Sequence, residues 1–315
     1  MRACAITKDQ ILQMLKIITI YAVGLLIGAA SGFLPLFALL AGFPILVARQ
    51  KVGLAGARIM ALATLLITLL LVDPVSFVFV GLGVAVGYSL LAWRGQERSL
   101  GSAYRLSFLG GGIWLAVSNW SVVLLEQRNL LAVINEVVAK SFALLQESMA
   151  ALEIYTPEQM ELISKFSEQA APLFNENWLT IAFIFICLST TACLLLLGRY
   201  EQAIAVRLAN WRDLSAPGWL AIITVLAYAL KRLAPGTLSW LANNTLGIGS
   251  FVLFLAGYAL IYFYMRHLHF SRAIGILFTA YLLLSPWLRP ILTLIGTFDA
   301  LFDYRHFAKA KIEPQ

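Results

Sequence analysis

Charged residues are scarce in this sequence. Asp, Glu, Lys and Arg make up 12% of 315 residues, against 61% hydrophobic residues and a mean hydropathy of +0.84. Soluble domains carry about 25% charged residues, so half that share leaves too little polar surface to cover a water-soluble globule. The apolar runs also lack strict apolar–polar alternation, which excludes a transmembrane β-barrel. Cysteines number three, Cys4, Cys187 and Cys193. An odd count without close spacing supports neither a disulfide framework nor a zinc site. There is no G-x-x-x-x-G-K-[ST], hence no P-loop, and there is neither H-E-x-x-H nor a nucleophile elbow. His267 and His269 are two apart, a poor helical geometry for a shared metal. No catalytic residue, cofactor or metal is expected.

Apolar runs fill most of the chain. They cover residues 11–30, 33–48, 54–72, 75–93 and 105–125, then 177–198, 217–232, 246–265 and 273–302. Runs near 20 residues match a hydrocarbon core of ~30 Å. The expected fold is all-α: a polytopic transmembrane helical bundle of roughly eight to ten membrane segments with an extracytoplasmic amphipathic cap. The expected divisions are 1–125 for the first five segments, 126–176 for the cap and 177–315 for the later segments and a cytoplasmic tail. The first run leads into Ser31-Gly32-Phe33-Leu34-Pro35 and another apolar run, so it reads as a retained helix. Gly42-Phe43-Pro44 breaks or kinks the short second run. Residues 273–302 are too long for one crossing, and Ser285-Pro286-Trp287-Leu288-Arg289-Pro290 interrupts them. One kinked helix would leave Arg305 outside; two short helices would return it inside.

The interval Glu126 to Glu176 is the one long polar stretch, with eight acidic and three basic residues. Leu130, Ile134, Val137, Leu144 and Leu145 recur at helical spacing. Thr156, Pro157 and Gln159 form a capping box with proline in the first helical position. Two amphipathic helices are predicted here. With the N-terminus in the cytoplasm, inner segments hold thirteen Lys and Arg (Arg2, Lys8, Arg49, Lys51, Arg58, Arg94, Arg98, Arg105, Arg199, Arg207, Arg212, Arg266, Arg272). Outer segments hold five (Arg128, Lys140, Lys165, Lys231, Arg232). This asymmetry favours a cytoplasmic N-terminus and puts the acidic interval outside. The net charge of +7 therefore reads as topology signals rather than nucleic-acid binding. Residues 199–213 are amphipathic: an interfacial helix under anionic headgroups, or a docking helix for a cytoplasmic partner.

Gly83 and Gly87, and likewise Gly24 and Gly28, stand four apart and predict close helix packing. Ionisable residues within the runs are few (Lys16, Asp73, Arg289), and no buried acidic relay is expected. One cluster remains. Asp73, Asn119, Trp120 and Trp178 fall near the outer helix ends, together with Glu126, Asn175, Asn177, Trp240, Asn243 and Asn244. An aromatic belt with helix caps explains them in one way. In the other, Asp73, Asn119, Trp120 and Trp178 line a ligand-binding cavity beneath the cap.

Three stretches carry a family resemblance. They are Phe43-Pro44 through Arg49-Gln50-Lys51-Val52-Gly53; Ser215-Ala216-Pro217-Gly218-Trp219; and Gly296-Thr297-Phe298-Asp299-Ala300-Leu301-Phe302-Asp303-Tyr304-Arg305. With the outer helical interval, they resemble the YybS-like family of bacterial membrane proteins, which implies a place in the bacterial inner membrane. That likeness carries over no activity and no catalytic residue. Residues 11–198, with the short second helix ending in Pro44…Gly53, are more distantly similar to the substrate-binding membrane subunits of energy-coupling-factor transporters. That similarity implies capture of a small molecule at the outer face, with separate ATPases. The leading expectation is a transport-related small-molecule-binding membrane subunit without its own ATPase. The alternative is a non-transport scaffold for envelope or membrane-assembly partners. The bilayer itself is a partner in either case.

Overall fold

The structure is a computed structural model that describes residues 8–31, 38–71, 74–94, 100–151, 156–202, 204, 214–268, 270–285 and 287–304. Among these residues the secondary structure is helical. The helices are α1 (Lys8–Ser31), α2 (Gly42–Val52), α3 (Leu54–Leu71), α4 (Pro74–Arg94), α5 (Leu100–Glu126), α6 (Leu130–Ala151), α7 (Pro157–Gly198), α8 (Gly218–Leu233), α9 (Gly236–His267), α10 (Arg272–Leu284) and α11 (Leu288–Phe302). Four contain apolar spans long enough to cross a membrane: Ser76–Arg94, Leu100–Leu124, Pro172–Gly198 and Gly236–Met265. Shorter apolar stretches lie in α1 and α3. The chain is an all-α polytopic membrane protein. It divides into two compact units: unit 1 is Met1–Asn175 with Phe185–Ala205, and unit 2 is Glu176–Ile184 with Val206–Gln315.

In unit 1, α4 is the central helix. Its apolar span is 61% buried, against 17% for that of α5. Small residues let α2 approach it: a Cβ on Gly42 would lie 2.8 Å from the Gly87 nitrogen, and one on Gly83 would meet Ala41 at 2.8 Å. These contacts are the close packing that the four-residue glycine spacing predicts. Pro44 sits in the first turn of α2, where its missing N–H breaks no helical bond. Gly53, at φ +93°, ends the helix and turns the chain into α3. Deeper in the unit, α7 presents a run of hydroxyls. Ser189 donates to the Leu39 carbonyl at 2.7 Å, and Thr191 shares a hydrogen bond with Tyr104 at 2.8 Å. Hydroxyls at such positions join helices where lipid offers no partner.

The polar interval forms two helices, as its spacing predicts. Leu130, Val133 and Ile134 of α6 pack on Val78, Phe79, Leu115 and Val122. Thr156 caps α7 reciprocally: the Gln159 amide donates to Thr156 Oγ1 at 3.3 Å, and the Thr156 amide donates to Gln159 Oε1 at 3.0 Å. Helix α7 then runs 42 residues without a break, where the sequence suggests a cap helix and a separate membrane segment. Pro172 is inside it. The carbonyl four residues back, which proline leaves without its helical donor, belongs to Glu168, and both residues are exposed.

In unit 2, residues 272–302 form two helices rather than one. Tyr258 of α9 shares a 2.6 Å hydrogen bond with Thr279 of α10. The α11 end returns to the α9 end, where the Tyr264 hydroxyl donates to the Tyr304 carbonyl at 3.2 Å. Helices α9 and α11 touch through glycine: a Cβ on Gly257 would lie 2.9 Å from the Gly296 nitrogen.

Candidate functional site

The four residues proposed from sequence as ligand contacts do not share one unit. Asp73 lies outside the described residues. Asn119 and Trp120 belong to unit 1, Trp178 to unit 2. Asn119 has a structural engagement: its Oδ1 accepts from the Leu130 amide at 3.0 Å and, with Asn129 Oδ1 accepting from Ala132 at 2.7 Å, caps the start of α6. Trp120 is 66% exposed. Trp114, one and a half turns earlier, is anchored instead, its indole donating to the Val78 carbonyl at 2.9 Å.

Other members of the outer cluster meet in unit 2. Asn244 is buried, and every polar valence of its side chain is used. Its Nδ2 donates to the carbonyls of Glu176 (2.8 Å) and Trp240 (3.0 Å). Its Oδ1 accepts from the Thr180 amide at 3.1 Å and from Thr180 Oγ1 at 3.3 Å. Asn243 Nδ2 donates to the Glu176 carbonyl and to Asn177 Oδ1, at 3.2 and 3.0 Å, while its Oδ1 accepts from Lys231 Nζ at 2.6 Å. Arg232 lies over the Tyr228 ring, 5.8 Å from its centroid. The two basic residues that break the charge rule are thus held by local partners. An amide with all valences filled fixes helices; it has none left for a ligand.

The chemistry that the sequence did not reveal is Asp299. It is 2% exposed, the only buried Asp, Glu, Lys or Arg among residues whose exposure is described. The sequence reading, which sought a buried acidic relay and expected none, passed over this single buried acid. Leu292, Gly296 and Asp299 form the buried face of α11, at i, i+4 and i+7. Beside Asp299, Ala300 packs with Ala216, Ala221, Leu253 and Ala256. Gly218 comes so near that an added Cβ would sit 3.0 Å from the Ala300 carbonyl oxygen. The Ser215–Trp219 and Gly296–Tyr304 stretches, far apart in sequence, therefore meet at Ala300, the residue next to Asp299. Asp303, in the left-handed region at φ 47°, ends the helix by donating its amide to the Asp299 carbonyl at 2.8 Å. The signal was present in the spacing, since the buried positions fall on one face. Asp303, four residues on, is exposed, so the acidic i, i+4 pair does not share one environment.

A carboxylate inside apolar helix packing acts in a low dielectric, where its field on a cationic or hydrogen-bond-donating group is much stronger than in water. Ionisable residues at such positions commonly line solute or ion pathways.

Comparison with curated proteins and with solved structures returns no match. A family model does match, over residues 19–300, which is well over half of the chain. Its description agrees with the helical membrane architecture, and the matched range takes in the buried face of α11: the chain belongs to the family described as predicted membrane protein, DUF2232.

Proposed function

We propose that the chain is a transport-related membrane subunit that binds a small molecule and draws on no ATPase of its own. The observation that carries this reading is the burial of Asp299 within the α8, α9 and α11 packing of unit 2. Burying a carboxylate among membrane helices is costly, and intramembrane carboxylates commonly mark a pathway or a binding site. The interruption between α10 and α11 supports the same reading, because transporter sites are commonly built from discontinuous helices. The likeness of residues 11–198 to energy-coupling-factor membrane subunits, and a sequence without a P-loop, support an external energy source. The thirteen-to-five charge count supports a cytoplasmic N-terminus, and the resemblance to the YybS-like bacterial family supports an inner-membrane setting. Asn119 and Trp120 on unit 1 and Trp178 on unit 2 are kept as proposed ligand contacts, each within its own unit.

The scaffold reading is favoured by the exposed acidic residues of the α7 start, Glu158, Glu161 and Glu168. Native mass spectrometry of gently extracted protein separates the two. A retained small molecule is expected. Co-purifying proteins with no small-molecule adduct would favour the scaffold.

A further inference from the structure

Four basic residues of this protein are paired with carboxylates. Arg128 and Lys140 pair with Glu136 at 3.0 and 2.7 Å, and Lys165 pairs with Glu161 at 2.6 Å. Arg94 pairs with Glu201. Around the α2–α3 turn the balance is different. Arg49, Lys51 and Arg58 are all exposed, and no carboxylate among the described residues pairs with them. The sequence explains why: it has no Asp or Glu from residue 10 to residue 72. Glu201, which reaches the end of α2, is already engaged, accepting from Gln50 Nε2 at 2.8 Å as well as pairing with Arg94. That clasp places the ends of α2, α4 and α7 together at one end of unit 1. Gly53 joins the two helix ends that carry them: Arg49 and Lys51 in the last turn of α2, and Arg58 five residues on in α3.

Beneath the cations the surface changes character. Arg58 begins a stripe on α3 that continues through Leu62, Leu66 and Leu69, which are 62%, 56% and 57% exposed. These positions fall at i, i+4, i+8 and i+11, one face of the helix. Helix α3 has 18 residues, a length of about 27 Å at 1.5 Å per residue. Tyr88 of α4 lies close enough to Arg58 to interact with it electrostatically, and tyrosine is favoured at the headgroup level. Unpaired cations match any anion. The stripe from Arg58 to Leu69 rises about 16 Å, close to the depth of one leaflet, and cations continuous with it match an anion that carries acyl chains.

We propose that the α2–α3 turn is a binding rim for anionic phospholipid. Arg49, Lys51 and Arg58 meet the headgroup phosphate, and the Leu62–Leu66–Leu69 stripe meets the chains. The rim is independent of Asp299 and of the transport reading.

The test uses the full chain, purified in neutral detergent and titrated with phosphatidylglycerol, phosphatidylcholine of the same acyl composition, or inorganic phosphate, with adducts read by native mass spectrometry. The wild type is expected to retain phosphatidylglycerol in preference to phosphatidylcholine. Each neutralised cation should weaken this about fivefold, and R49Q/K51Q/R58Q together roughly a hundredfold. R49K/R58K should keep the preference, and R128Q/K140Q should not alter it. Equal retention of both lipids by the wild type would overturn the proposal, as would an unchanged preference in the triple variant. Displacement of the lipid by millimolar inorganic phosphate would assign the turn to a soluble anion instead. Retention of an acidic protein without lipid preference would assign it to a protein partner. Both of those outcomes also overturn the proposal. Should the triple variant fail to fold, the wild-type lipid comparison and the single R58Q variant decide.

Discussion

Asn244 and Asp299 lie in the same unit and show how differently two buried polar side chains can be read. Asn244 has every valence filled from Glu176, Trp240 and Thr180. Removing it takes a side-chain partner from the Thr180 amide and from the Glu176 and Trp240 carbonyls, so Asn244→Ala should destabilise the protein by about 1–3 kcal/mol. Thermal or denaturant unfolding in detergent checks this; an unchanged midpoint would contradict the network. Sequence reasoning gathered Asn177, Asn243 and Asn244 because each is polar and near a helix end. It did not find Thr180, since a contact across 64 residues has no local signature. Glu136 supplies a pH test in α6. The Lys140 ammonium, hydrogen-bonded to it, and the nearby Arg128 guanidinium hold its carboxyl below the usual carboxylate range. A depressed carboxylate stabilises the fold above its unfolded range and loses that contribution as pH falls through its folded value. Carboxyl-detected NMR should show Glu136 titrating at lower pH than an ordinary glutamate, and Lys140→Ala should move it upward.

At the scale of the element, local chemistry was the most legible. Thr156, Pro157 and Gln159 announced the start of α7, and the cap is formed in both directions. Thr156→Ala should cost about 1 kcal/mol, visible as earlier melting of the cap by hydrogen exchange at residues 157–162. The continuity of α7 through Pro172 was less legible. A proline usually signals a helix end, but here the carbonyl it orphans is on an exposed turn. The interruption at 285–290 was legible as two alternatives, and the contacts from Tyr258 to Thr279 and from Tyr264 to Tyr304 select two short helices. Glycine pairs from different segments were not legible. Gly257 and Gly296 are 39 positions apart, and only the fold shows that each admits the other's backbone. Gly296→Ala should destabilise unit 2 by about 1–3 kcal/mol through overpacking. A melting temperature equal to wild type would show that the helices can separate without loss.

For the molecule as a whole, composition alone carried the membrane class, because the charge deficit and the run lengths are global properties. Charge asymmetry adds an orientation that helix packing does not supply. Single cysteines at Gln202 and Gln146 read it directly: in whole cells an impermeant thiol reagent should label the second and spare the first. Labelling of Gln202 alone would invert the topology. The functional account rests on Asp299, whose surroundings are assembled from three helices and therefore escaped a reading that follows the chain. The direct measurement compares small-molecule occupancy of wild type and Asp299→Asn by native mass spectrometry, with unfolding midpoints confirming that both are folded. The account predicts a bound small molecule in the wild type and at least a tenfold loss of occupancy, about 1.4 kcal/mol, in Asp299→Asn. Equal occupancy in the two folded proteins, or none in either, would contradict it.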